Sequence, residues 1–94
     1  MMMENNNTIA AFHIRSNKDG VIKLQTNKTY CWHIPKPLRN EPIQKGDIVL
    51  VRTRKGPKAA LVMKVFREEF EETQRQYRRV IKVLERAPEK EPVH

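Results

Sequence analysis

Hydrophobic and polar residues alternate along most of the first two thirds of this chain. Thr8–Arg15 reads TIAAFHIR, with the β-branched and aromatic content of a strand. Ser16–Gly20 follows, and its Asp19-Gly20 pair is a hairpin-turn signal. Val21–Gln25 supplies a return strand, and Asn27 and Lys28 interrupt it. In Thr29–Ile34, Tyr30, Trp32 and Ile34 share one face of a strand against Cys31 and His33 on the other. Pro35, Pro37 and Pro42 exclude regular structure up to Lys45. That segment predicts a crossing loop pinned by Leu38 and Ile43. Gly46-Asp47 then opens a buried strand, Ile48–Thr53. Arg54–Lys58 is a hairpin tip with Gly56 and Pro57 as turn residues, and Ala59–Phe66 is its return strand.

The last third supports two readings. Phe66, Phe70, Tyr77, Ile81 and Leu84 fall at helical spacing, which favours one long amphipathic helix. Val80, Ile81 and Val83 instead suit a strand over Tyr77–Leu84, with Glu68–Gln76 as a loop or single helical turn. Short strands separated by turn signals predict a mainly β fold: a small single-domain β-barrel of five to six short antiparallel strands. Residues 8–86 form that domain. Residues 1–7 are expected to be disordered and residues 87–94, with Pro88 and Pro92, to form a flexible polar tail.

Composition narrows the class. A 94-residue chain is one domain that buries only about 60–65% of its unfolded surface. Apolar residues make up 38% and charged residues 32%, so the core is small and leans on strand pairing. The apolar runs Ile48–Val51 and Ala59–Met63 are too short to span a bilayer, and Met1–Asn7 lacks the features of a secretory signal. One cysteine, Cys31, leaves no internal disulfide and fits a cytoplasmic location.

Enzyme chemistry finds little support. Gly20, Gly46 and Gly56 form no phosphate loop. His13, His33 and His94 lack metal-ligand spacing, and one cysteine completes no zinc site. Cys31 and His33 lie side by side on one strand without an orienting third group. Glu68, Glu69, Glu71 and Glu72 read as a solvated turn rather than a cation site. The chain is therefore expected to be non-catalytic and to use no cofactor or metal.

Charge is more informative. Lys and Arg total 19 against 11 Asp and Glu, a net charge of +8, which points to a polyanionic partner. Arg52, Arg54, Lys55 and Lys58 crowd the hairpin tip and suit phosphate contacts. Lys64, Arg78 and Arg79 offer a secondary track. Tyr30 and Trp32 are candidate stacking surfaces for bases, although a core position is the favoured reading of Trp32, since small barrels use such aromatics as core.

The stretch from Lys28 to Val93 resembles the N-terminal, 3′-end-binding DNA-binding domain of the bacterial primosomal replication-restart helicase, primosomal protein N′. The likeness runs in order through Thr29–Pro35, Lys45–Val51, Arg54–Lys58, Leu61–Val65, Glu68–Glu72 and Val80–Pro88. It implies a small β-barrel, a loop plus strand in the last third, and contact with a DNA end near the aromatic strand and basic hairpin. Where that family carries an acidic residue between its two aromatics, this chain has Cys31. Its Pro-Phe-Gly hairpin is Thr53-Arg54-Lys55-Gly56 here, with added cations. The resemblance covers no helicase motor.

The leading expectation is a binding module for nucleic acid, single-stranded, junction or 3′-ended DNA in particular. The alternative is a protein-interaction factor of a mobile element that binds or inhibits a nucleic-acid enzyme, as anti-CRISPR proteins do, using the same hairpin against an acidic or nucleic-acid-binding protein.

Overall fold

The computed structural model describes residues 6–19, 21–69 and 77–87. They form one antiparallel sheet of five strands: β1 (Thr8–Lys18), β2 (Val21–His33), β3 (Ile48–Thr53), β4 (Gly56–Phe66) and β5 (Val80–Glu85). The spatial order is β2-β1-β4-β3-β5. Among the described residues there is no α-helix. One 3-10 turn, Lys36–Arg39, interrupts the loop that carries the chain from β2 to β3.

The mainly β class agrees with the alternation pattern, but the expected barrel does not close. β2 and β5 form the two edges of the sheet and run parallel where they meet. They touch through a single bridge, His33 to Arg79, in which the His33 N–H donates to the Arg78 carbonyl at 2.8 Å. The reason is their offset. β2 ends at His33, just before Pro35, while β5 begins at Val80. The two strands pass end to end rather than alongside, so no ladder can form between them.

Other boundaries shift for local reasons. Val21–Gln25 and Thr29–Ile34 are parts of one strand. Ala11 pairs with Tyr30 and His13 with Gln25, so Thr26–Thr29 stand opposite Phe12 alone. Asn27 and Lys28 therefore mark a wide bulge, not a strand break. The second hairpin is tighter than expected. Thr53 pairs with Gly56, which leaves only Arg54 and Lys55 as the loop. Gly56 has φ +108°, and the Thr53 hydroxyl closes the turn by donating to the Gly56 carbonyl at 2.6 Å. Of the helical reading for Phe66–Leu84, Phe66 lies in β4 and Val80–Glu85 is strand. The rest of the proposed loop, residues 70–76, is outside the described part of the chain.

Paired residues share a face of the sheet. Ile9, Ala11, Trp32, Val49, Val51, Ala60, Val62 and Val80 line the inner face and form the core. Ile34 and Ile43 complete it, and Leu38 packs against it, so the proline-rich loop is pinned as expected.

Two side chains act as clasps at the ends of this sheet. Asn7, assigned to the disordered start, is buried. Its carboxamide accepts from the Glu68 N–H at 2.8 Å and donates to the Glu68 carbonyl at 2.9 Å. Asp47 is 2% exposed. It accepts from the Ala87 N–H at 2.7 Å, the Gln44 N–H at 3.0 Å and Arg86 Nη1 at 3.1 Å. Ala87, placed in the flexible tail by sequence, is thus tied to the loop before β3. Gly46 has φ +96°, and a Cβ there would lie 2.9 Å from the Ala87 Cβ, so this approach requires glycine. Residues 1–5 and 88–94 lie outside the described part.

Candidate functional site

The site originates where the sheet divides into two fingers. β1 pairs with β4 only as far as His13–Ala60. Beyond that point β1 continues with β2 alone to the Lys18–Val21 pair. β4 continues with β3 alone to Thr53–Gly56. The two hairpins therefore diverge and leave a cleft of about 420 Å³. His13 and Tyr30 form its floor. Arg15 and Gln25 stand on one wall, Arg54, Lys55 and Lys58 on the other. It shares His13, Tyr30, Thr53 and Arg54 with an adjoining hollow of about 460 Å³ that reaches Tyr77 and Arg78. Another hollow, of about 490 Å³, opens over Ile34, Ile43 and Val65 and has no aromatic lining.

Register explains why aromatics meet cations here. His13, Tyr30, Thr53 and Lys58 follow the core residues of their own strands on the inner face, past the point where the core ends. The His13 ring centroid lies 4.9 Å from that of Tyr30, with the planes tilted by 58°. It lies 5.3 Å from the Trp32 ring in an edge-on arrangement. The Lys28 ammonium sits 5.0 Å from the Tyr30 centroid, over the ring.

The residues singled out by sequence divide into three groups. Arg52, Arg54, Lys55 and Lys58 are exposed around the β3–β4 hairpin, and Tyr30 and Arg78 line the same cleft system. Trp32 reaches the cleft only from below. It is 4% exposed, and its indole N–H donates to the Arg52 carbonyl at 2.9 Å. It is core, and it supports the aromatic floor instead of offering a face to a base. Lys64 and Arg79 are not gathered in. Lys64 pairs with Ala10 on the outer face, its ammonium 5.5 Å from the Phe66 ring centroid. Arg79 is exposed at the bridge to β2, where its carbonyl accepts from the Arg52 N–H at 3.1 Å, and its charge acts on His33, not on the cleft lining. Sequence reasoning missed His13, Arg15, Lys28 and Tyr77 as members of the site. The period-2 register from Ile9 through Ala11 to His13 carried the signal for His13.

The described part of the acidic run lies well away. Glu68 and Glu69 follow β4 at the end opposite the hairpin tip, where Arg67 Nε contacts Glu69 Oε2 at 2.7 Å. Glu71 and Glu72 fall outside the described residues. Among the described residues, the lining of the cleft and its adjoining hollow carries no carboxylate. Cys31 and His33 are half-buried on the opposite face of β2 from Tyr30 and Trp32. Among the described residues, no three His, Cys, Asp or Glu side chains gather as a metal-binding group, and no helix is long and apolar enough to cross a membrane.

Two histidines carry depressed pKa values. Burial lowers that of His13 from 6.5, and the Lys58 ammonium lowers it further. Burial also lowers that of His33, helped by Arg39 and Arg79 and opposed by a hydrogen bond to the Asn7 backbone. In the unfolded chain both histidines titrate near 6.5. Between the depressed folded values and 6.5 the unfolded state holds more protons, so stability falls as pH is lowered through this window. The contribution of the two histidines to the thermal midpoint is expected to be constant well above pH 6.5 and to fall as the pH is lowered through and below 6.5. The His13→Gln, His33→Gln double variant should show a shallower drop. An unchanged profile would assign the pH dependence to other groups.

No curated protein and no solved structure matches this chain. A family model does match, over residues 4–86, and its span takes in all five strands and both hairpins of the cleft. The chain belongs to that family, DUF5839, described as a family of unknown function.

Proposed function

We propose that this protein is a non-catalytic module that binds single-stranded nucleic acid in the cleft between its two hairpins. The observation that carries the reading is the juxtaposition of an aromatic floor, His13 and Tyr30, with a cationic wall, Arg54, Lys55 and Lys58. Unpaired bases have exposed π-faces and a phosphate at every step. A site for them needs a ring to stack on and cations at backbone distance. Tyr30 offers the ring. Lys28, now over that ring, is exposed, and its ammonium moves to a phosphate when a base takes the face. Arg78 extends the cationic lining toward Tyr77.

The sequence resemblance to the primosomal DNA-binding domain supports the same surface, because it too selects the aromatic strand and the basic hairpin. A free 3′ end of DNA is the preferred ligand in that reading, and the cytoplasm its setting. Cys31 borders the hollow beside Tyr30, but a thiol is only a weak hydrogen-bond partner, so the stronger contact to a terminal hydroxyl falls to Thr53 or His13.

The test is fluorescence anisotropy with a labelled single-stranded oligonucleotide across a salt series. The log–log slope of affinity against salt should be about −0.7 for each phosphate neutralised. Lys58→Ala should make it shallower by about 0.7, while Lys64→Ala, on the outer face, leaves it unchanged. Equal effects of the two variants would show that net charge acts without a site. Absence of binding at low salt would sink the reading and assign the basic hairpin to a protein partner. A comparison of free and 3′-blocked strands measures end preference.

A further inference from the structure

The β1–β2 finger carries more than one wall of the cleft. From the Ile14–Leu24 pair to the Lys18–Val21 pair it is a free two-stranded ribbon, paired to no other strand. Five residues of β1 at about 3.3 Å each make it roughly 16 Å long. Its turn is formed for this purpose: Lys18 pairs directly with Val21, and Asp19 adopts the left-handed φ of +54° that such a tight loop needs.

The ribbon has two unlike faces. Along β2, Val21 and Lys23 share a face with Gln25, which pairs with His13 on the cleft floor. Their partners Lys18 and Ser16 lie on that face too. The cationic side of the ribbon is therefore a continuation of the cleft. Arg15 stands at the bulge between Ile14 and Ser16, where β1 has one residue more than β2, and joins the two stretches. Ile22 and Leu24 occupy the reverse face by register, while Ile14, opposite Leu24, borders the cleft at the root of the ribbon. Lys18, Lys23 and Arg15 are exposed, and Val21 at the tip is 59% exposed.

The cleft and the ribbon differ in one chemical respect. The cleft has rings for unpaired bases. The described residues of the ribbon and its turn offer three cations, a hydroxyl, aliphatic groups and one exposed carboxylate, Asp19, with no aromatic side chain among them. Such a surface contacts phosphates and groove edges but cannot stack a base. It suits nucleic acid whose bases are already paired. A two-stranded ribbon is also an element that the roughly 12 Å major groove of B-DNA admits.

We propose that the β1–β2 ribbon is a second contact site, for duplex, and that it grips the paired segment next to the single strand held in the cleft. Lys18, Lys23 and Arg15 neutralise duplex phosphates, and Val21 enters the groove. The inference rests on the cleft reading for its single-stranded half. Together the two sites make a single-strand/duplex junction a better ligand than either part alone.

Three labelled probes test this by anisotropy across salt: a single strand, a blunt DNA hairpin, and the same hairpin carrying that single strand as a tail. The tailed hairpin should bind at least about tenfold more tightly than the single strand at low salt. The Lys18→Ala, Lys23→Ala variant should lose that advantage and should reduce the salt slope on the tailed probe by about 1.8, at roughly 0.9 per duplex phosphate. Its affinity for the single strand should not change. Both lysines are exposed, so the variant should keep the wild-type circular dichroism spectrum and thermal midpoint. The proposal is overturned if wild type binds tailed and single-stranded probes equally, or if the variant weakens both by the same factor. In either case single-strand binding still stands on the cleft. No binding of the single strand, with the blunt hairpin bound, would overturn the cleft reading and the junction with it.

Discussion

Replacing Asp47 with alanine is expected to destabilise the fold by about 3 kcal/mol, the largest effect of any single polar substitution considered. The carboxylate is nearly inaccessible and accepts three hydrogen bonds, two of them from the backbone N–H groups of Gln44 and Ala87. Removing it leaves both N–H donors without their partner, and each such loss costs about 1–3 kcal/mol. Arg86 adds less. Its side chain is 42% exposed, and it still has the Pro42 and Glu41 carbonyls, at 2.9 and 3.0 Å, as acceptors. The clasp joins the end of β5 to the loop before β3, so its loss should free the sheet edge first. Urea unfolding measures the total. Hydrogen exchange should show early opening of β5 in the variant. Asp47→Asn keeps one acceptor oxygen and should lose about 1–2 kcal/mol. A loss below about 1 kcal/mol for the alanine variant would mean that water replaces the carboxylate freely.

The second large effect concerns the cleft. Tyr30→Ala should weaken single-strand binding by about 1–3 kcal/mol, or roughly five- to more than a hundredfold, the range for one base stacked on one aromatic ring. Tyr30→Phe keeps the π-face and should bind nearly as wild type. The contrast separates stacking from hydrogen bonding by the phenol. Tyr30 is half-buried and packs at the margin of the core, so the alanine variant also loses stability. Binding is therefore compared well below the midpoint of each variant. Trp32→Phe serves as a control for the layer beneath. It deletes the bond to the Arg52 carbonyl and should affect stability more than affinity. If Tyr30→Ala binds as wild type, bases do not stack on this ring, and the cleft recognises phosphates alone.

Both arguments turn on residues whose importance has a different visibility in sequence. Tyr30 is a large aromatic on an alternating strand, and its candidacy is plain from the chain. Asp47 is one acid beside a glycine. Nothing local reveals that it will be closed in by Ala87, forty residues later. His13 shows the intermediate case. Its place on the inner face follows from counting by two from Ile9, but its neighbours belong to β2 and β4 and depend on pairing. Along the chain the long β2 reads as two strands, because a bulge and a strand break look the same there. Both interrupt alternation with polar, turn-favouring residues such as Asn27. Only the partner strand distinguishes them, by continuing past the interruption.

By itself the sequence determined the mainly β class, the two hairpin turns, the pinned proline-rich loop, the buried strand Ile48–Thr53 and the concentration of cations at its tip. These are local properties. They follow from period-2 alternation, from the few residues that tolerate tight turns, and from charge density along the chain. Tertiary structure alone decided that the sheet stays open, that Lys64 and Arg79 leave the site, and that His13 and Arg15 join it. Each of these depends on strand order and register. A shift of one residue in pairing moves a side chain to the opposite face, and the strand order β2-β1-β4-β3-β5 decides which neighbours it meets there.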